Sequence, residues 1–383
     1  MSVTNQGTVH APVFEFYPDN PGWSHQLNRV ITESQGGGGD YGEILRVISK
    51  IKENDKESWH SAWFEMAKYV ENLGLEAEEK GRLETARQSY LRASNYYRMA
   101  HFYLDGEDPR QLDTYHLYVS SFSRAASFTT EPKIEMIGIP FEGKKLHAYF
   151  ARARDAHGKQ PCLIIFGGTD SGIEELYFSM VGDAIDRSFS ILAFDGPGQG
   201  YTRRFENLLA RHDFEKPVGA AIDYLESNKR EEVDLKKIGV LGRSFGGYYT
   251  ARAAAKEHRV AAAVCFDGIY DVLSNVIDHG MHKRPGGNRM INSNLGVRTD
   301  EEARPKLAKF TLEGIAGEIK CPILILHGKY DNLCSVEGAK KLYDSIKHDS
   351  KTLKIYESGH SMHIFKNEAQ SFALDWLKET LSK

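Results

Sequence analysis

From residue 133 onward the chain repeats one pattern: a short apolar run, a helical stretch, another apolar run. The runs are KIEMIGIPF (133–141), KLHAYFARA (145–153), PCLIIFGG (161–168), SILAFDG (190–196), KIGVLGRS (237–244), VAAAVCFDG (260–268), CPILILHG (321–328) and TLKIYES (352–358). The first two alternate apolar and polar residues around Glu142-Gly143, as an antiparallel hairpin at a sheet edge does. The later ones are continuously apolar, as parallel strands buried on both faces are. Stretches such as HDFEKPVGAAIDYLESNK and VEGAKKLYDSIK separate them with helical spacing. This alternation predicts an α/β fold, a doubly wound and mostly parallel sheet. Residues 269–320 interrupt it with GMHKRPGGNRMINSN and TLEGIAGEI. That stretch is too long for a simple crossover and is expected to form a lid insertion.

Before residue 130 the pattern is helical. In YGEILRVISKIKE (41–53), Ile44, Leu45, Ile48 and Ile51 share one face, and Asp40 is placed to cap the helix. SWHSAWFEMAKYVENLG puts Trp59, Trp63, Met66 and Val70 on one stripe and is expected to stop at Gly74. Residues 76–104 have the character of a helix pair. The expected division is a helical N-terminal domain, 1–130, and a catalytic domain, 131–383. The aromatic residues Trp59, Trp63, Tyr96 and Tyr97 either wall a pocket or pack a core. With 41% apolar and 27% charged residues, the chain can bury a large core and is not a disordered one. The net charge is −4 and no basic stripe concentrates the cations, which argues against nucleic acid as a partner. The four cysteines, Cys162, Cys265, Cys321 and Cys334, form no CxxC pair, so no metal or cofactor is expected. The N-terminus lacks the pattern of a secretory signal and no apolar run has bilayer length. A cytoplasmic protein acting on a small molecule is expected, away from membranes, with a homodimer left open.

Chemistry concentrates at Gly242-Arg243-Ser244-Phe245-Gly246-Gly247, between the apolar run KIGVL and the helical run YYTARAAAKEH. This is G-x-S-x-G in a strand–turn–helix setting, the nucleophile elbow of α/β-hydrolases. Ser244 is therefore the candidate nucleophile. A serine needs a base and the base an orienting acid, in this fold in the order Ser, acid, His. Asp331 follows the run CPILILHG, at the sheet edge where catalytic groups gather. His360 follows the last run, with His363 as the rival base. HxxH also suggests a metal pair, but no third ligand accompanies it. The oxyanion hole is expected from the N–H of Phe245 and from the loop Gly167–Gly172, through Thr169 or Gly168. Asp170 is a candidate for polarising the substrate, and Tyr248 is a further candidate for touching it. The segment FDGPGQG (194–200) is expected to shape a turn and to carry no chemistry.

Taken together, FGGTDSGIEE, FDGPGQG, LGRSFGGYY, ILHGKYDNLC and SGHSMH resemble the α/β-hydrolases that carry a helical N-terminal domain. That group includes 2,6-dihydroxypseudooxynicotine hydrolase and the fungal polyketide-shortening hydrolases. The resemblance extends to GGGDYGE and SWHSAW in the helical part. It implies hydrolysis of a carbon–carbon bond beside a ketone, and an extra acidic residue for which Asp267, Asp271 and Asp278 are in range. The competing readings are a carboxylesterase or lactonase, a peptidase of the prolyl-oligopeptidase type, and a non-catalytic binding protein on a hydrolase scaffold.

Overall fold

All eight apolar runs form strands, and hydrogen bonding joins them into one sheet in a computed structural model that describes residues 14–154, 156–277 and 287–383. The strands are β1 (Ile134–Phe141), β2 (Lys144–Ala151), β3 (Gln160–Phe166), β4 (Ser190–Phe194), β5 (Val233–Arg243), β6 (Ala262–Phe266), β7 (Ile323–Gly328) and β8 (Lys351–Tyr356). Their order is β1-β2-β4-β3-β5-β6-β7-β8. The hairpin β1–β2 lies at the edge as expected, β2 runs antiparallel to β4, and every other pair is parallel. Period-two geometry sends alternate residues to opposite faces. On β3, Ile164 and Phe166 pack with Phe214 and Tyr249 on one face. Leu163 and Ile165 pack with Leu374 and Leu377 on the other. Covering both faces with helices is what makes continuous apolar strands stable here.

The helical part precedes the sheet: α1 (Pro21–Glu33), α2 (Tyr41–Ile48), α3 (Lys56–Glu79), α4 (Leu83–His101) and α5 (Arg110–Ser127). Side chains of Asn20, Asp40 and Asp55 accept from the first-turn N–H groups of α1, α2 and α3, satisfying donors that have no carbonyl within the helix. Helix α3 does not stop at Gly74. The Tyr90 ring packs so closely there that a Cβ would lie 3.0 Å from it, so the glycine serves close approach rather than termination. Helix α2 ends at Ile48, short of the expected residue 53, where the Ser49 hydroxyl takes up the Arg46 carbonyl. Trp59, Trp63, Tyr96 and Tyr97 have no exposed surface and pack with Trp23, Tyr115 and Tyr118. They form the core of the helical part, which rules out their role as pocket wall. Between β6 and β7 the insertion carries helices Val272–Ile277, Gly287–Leu295 and Asp300–Leu307. Among the described residues, no helix is long and apolar enough to cross a membrane.

One buried network fastens the helices to the sheet. Arg29 of α1 donates from Nη1 to Asp170 (2.7 Å) and from Nε to Glu175 (2.8 Å), both on the segment after β3. Behind it, Arg98 of α4 donates to Glu33 of α1 at 2.7 Å. Burial disfavours the Arg29 charge, but Asp170, Glu175 and Glu33 outweigh it and keep the group charged. Replacing Arg29 by Met removes the cation, strands the Glu175 carboxylate in the interior and leaves Asp170 unpaired at the cavity wall. Removing one partner of a buried pair costs about 3–5 kcal/mol. Urea denaturation of Arg29→Met should show a loss of that size; a loss below about 1 kcal/mol would mean that the network adds nothing net.

Candidate active site

The elbow is built from places where a side chain does not fit. Ser244 sits between β5 and the helix Phe245–Lys256 with φ 60° and ψ −123°, a strained conformation for a residue with a Cβ. A Cβ on Gly242 would lie 2.2 Å from the Gly246 carbonyl oxygen, and one on Gly246 would lie 2.6 Å from that of Gly167. Without those two glycines the turn cannot close. The Ser244 N–H donates to Phe266 of β6 at 2.7 Å, which fixes the turn to the sheet.

Asp331 and His360 come to this point from the loops after β7 and β8. Nδ1 of His360 donates to Oδ2 of Asp331 at 2.7 Å, and Oδ1 of Asp331 accepts from the N–H groups of Leu333 and Cys334. Burial pushes the Asp331 carboxyl up, but attraction to His360 and these hydrogen bonds outweigh it and hold it below the usual carboxylate range. For His360, burial would lower the pKa, yet the Asp331 charge and the contacts with Asp331 and Cys334 raise it well above the ordinary histidine value. His363 is not at Asp331; its ring lies 4.9 Å from that of His25, and burial first, then neighbouring cations, keep it neutral. Ser244 Oγ has Cys334 Sγ as its neighbour at 3.9 Å, and Cys334 also contacts His360. Donor atoms of Asp331, Cys334 and His360 lie within 4.8 Å of one another, close enough to hold a metal ion, but two of the three are committed to each other through the Nδ1–Oδ2 hydrogen bond.

On the other side of Ser244 lies the expected oxyanion loop. A Cβ on Gly168 would meet the Cβ of Ser244 at 3.1 Å, so this backbone rests against the serine. Phe245 opens its helix, where its N–H has no intrahelical acceptor. Two residues brace the loop: Gln199 donates from Nε2 to Gly167 O at 2.5 Å, and Asn294 of the insertion donates to Thr169 O at 2.9 Å. Ser244, Gly168, Thr169, Asp170, Cys334 and His360 open into one cavity of about 1480 Å³. Its other walls include α1, the α4–α5 connection, residues 289–298 of the insertion, Arg203, Arg204, His363 and Lys366.

The model of the prolyl oligopeptidase family matches residues 184–383. The hydrolyase poxO of Penicillium oxalicum is 36% identical over 67% of this chain and 63% of that protein, so this chain spans less than two thirds of that curated relative. The α/β-hydrolase psoB of Aspergillus fumigatus is 32% identical over 80% and 79% of the two chains. This chain is an α/β-hydrolase of the prolyl oligopeptidase family. Among solved structures, a 2,6-dihydroxy-pseudo-oxynicotine hydrolase superposes with a TM-score of 0.81 and 26% identity, covering 92% of this chain and 95% of that one.

Other predicted positions of the hydrolase fall elsewhere. Asp170 reaches the cavity, but Arg29 holds it ionised, down to about 2 against the opposing effect of burial, so it has no proton with which to polarise a ketone. Tyr248 is buried, donates to His212 O and does not line the cavity. Asp271 accepts from Ser274 N at a helix start, and Asp278 lies outside the described residues. Asp267 is fully buried and bridges backbone: Oδ1 accepts from Gly328 N at 3.0 Å and Oδ2 from Ser361 N at 2.9 Å. Asp267 is thus a brace, not a substrate contact. It holds the loop carrying His360, where Ser361 and Met362 take φ of 63° and 49°. Cys334, Gln199 and Asn294 escaped the sequence reading. Cys334 had one signal, its place three residues after Asp331. Asp267→Ala would leave two interior N–H groups unpaired, at about 1–3 kcal/mol each. The expected outcome is a stability loss of about 2–6 kcal/mol by chemical denaturation, with the His360 loop loosened in hydrogen exchange.

Proposed function

We propose that this hydrolase uses Ser244 as nucleophile, His360 as base and Asp331 to orient it, and that it cleaves a carbon–carbon bond next to a ketone in a small molecule. The observation that carries the reading is the likeness to the 2,6-dihydroxy-pseudo-oxynicotine hydrolase along nearly the whole of both chains, helical part included. A peptidase would have to admit a polypeptide, whereas here α1 and the α4–α5 connection stand over Ser244 and suit a small substrate.

The chemistry follows from the geometry. Neutral His360 takes the Ser244 proton as Oγ adds to the carbonyl, and the new oxyanion is held by the N–H of Phe245 and one from the Gly168–Thr169 loop. An ester then loses an alkoxide. A ketone loses a carbanion, which leaves only if a neighbouring carbonyl delocalises its charge, and protonated His360 supplies the proton to that carbon. Water then hydrolyses the acyl-serine, with His360 again acting as base.

Ser244→Ala, His360→Ala and Asp331→Asn should each lower kcat by several orders of magnitude, non-additively, with circular dichroism unchanged. The acid limb of kcat/KM should lie above pH 6.5, because only neutral His360 is a base and its pKa is raised. Asp331→Asn should move that limb to lower pH. Acetylacetone-type diketones should be turned over with a higher specificity constant than nitrophenyl esters of similar size; ester turnover that far exceeds diketone turnover would make this an esterase instead.

A further inference from the structure

The cavity wall beside the nucleophile holds more cations than carboxylates. Three acids lie in this wall and the network behind it: Glu33, Asp170 and Glu175. All three are bound by Arg29 or Arg98. Among the described residues, the cavity cations with no carboxylate within ion-pair distance include Arg203, Arg204 and Arg298, together with Arg243, the residue before Ser244, and Lys366. Lys366 gives its Nζ to the Thr32 carbonyl, 2.9 Å away. Arg243 has less. Its Nε is buried with no hydrogen-bond partner, its Cζ lies 5.2 Å from the Phe266 ring, and the carboxylates that act on its charge, Asp267, Glu175 and Glu33, do so from beyond ion-pair distance. Next to them on the wall, His363 keeps a buried Nε2 without a partner.

An arginine removed from water without an acid is costly, and natural interiors pair such groups. Its flat fork of donors matches a carboxylate, and its aromatic backing restricts the plane in which that fork lies. Arg243 also immediately precedes Ser244, so an anion held by it is held beside the attacking oxygen.

We infer that Arg243, assisted by His363 and Lys366, is a carboxylate-binding subsite and that the substrate is a small carbonyl compound carrying a carboxylate group. The inference rests on the hydrolytic reading of Ser244 but not on which bond is cut. It adds a specificity-determining residue to the elbow: the side chain of the variable position in G-x-S-x-G reads the charge of the substrate, while the backbone around it performs the addition.

The test pairs charged and neutral substrates of each class: acetopyruvate against acetylacetone, and nitrophenyl hemisuccinate against nitrophenyl butyrate. The wild-type enzyme should prefer the carboxylate member of whichever pair it turns over. Arg243→Met should lower kcat/KM for that member about 10- to 100-fold, mostly through KM, and change the neutral member less than about threefold. Arg243→Lys should recover part of the difference, because a point charge replaces the fork. An equal loss on both members would make Arg243 a support of the elbow and overturn the inference, as would a wild-type enzyme indifferent to charge. Turnover confined to the ester pair would sink the carbon–carbon reading alone, since the charge preference is still read within that pair. With neither pair turned over, calorimetry decides: succinate should bind the wild type and release on Arg243→Met, and no binding to the wild type overturns the subsite.

Discussion

Backbone packed against backbone around Ser244 is the constraint on which the rest depends. Gly242 and Gly246 of the elbow have no room for a Cβ, Gly168 of the facing loop has little, and Ser244 stands between them at a positive φ. A strained turn persists only when its surroundings over-determine it. Here the surroundings are β5 and β6, whose burial on both faces supplies the stability that the turn consumes. The serine hydroxyl and the Phe245 N–H are therefore positioned by the sheet, and the Gly168 backbone by the sheet together with the Gln199 and Asn294 side chains that brace its loop.

The acid–base side is arranged on a different principle. Asp331 and His360 sit on loops, and loops need tethers. Asp267 supplies one by accepting from Gly328 and Ser361 at the bases of both. The Leu333 and Cys334 N–H groups supply another by aiming Oδ2 of Asp331 at His360. The helical part is joined through charge: Arg29 binds the segment that carries the Gly167–Gly172 loop. Loss of that contact would loosen the cap and the loop together.

The strands and the elbow could be read from the sequence because both are local. A buried parallel strand is a continuous apolar run, and the elbow is six consecutive residues with a strand before and a helix after. All eight runs became strands within a few residues of the expected bounds. What was not legible depends on chain segments meeting in space. Asp267 and Asp170 are both acids near the site in sequence, yet one is a backbone brace and the other an ion-pair partner of Arg29, more than a hundred residues earlier. Gln199 lies in a segment expected only to turn, and it reaches across to Gly167. Helices α1 and α5 drew no attention, although Asn20-Pro21 is a recognisable start for α1. The aromatic stripe on α3 and α4 suited either a core or a pocket, and packing decided for the core.

Cys334 has a consequence for how this enzyme would be classified by its inhibitors. Its sulfur stands 3.9 Å from Ser244 Oγ and also touches His360. Burial pushes its thiol up to about 11, so it is a poor nucleophile at neutral pH. Any alkylating or mercurial reagent that did reach it would occupy the gap beside Ser244 and His360, across which the proposed mechanism passes the serine proton. Inactivation by a thiol reagent, ordinarily taken as the signature of a cysteine hydrolase, would under the proposed triad report an obstruction beside Ser244.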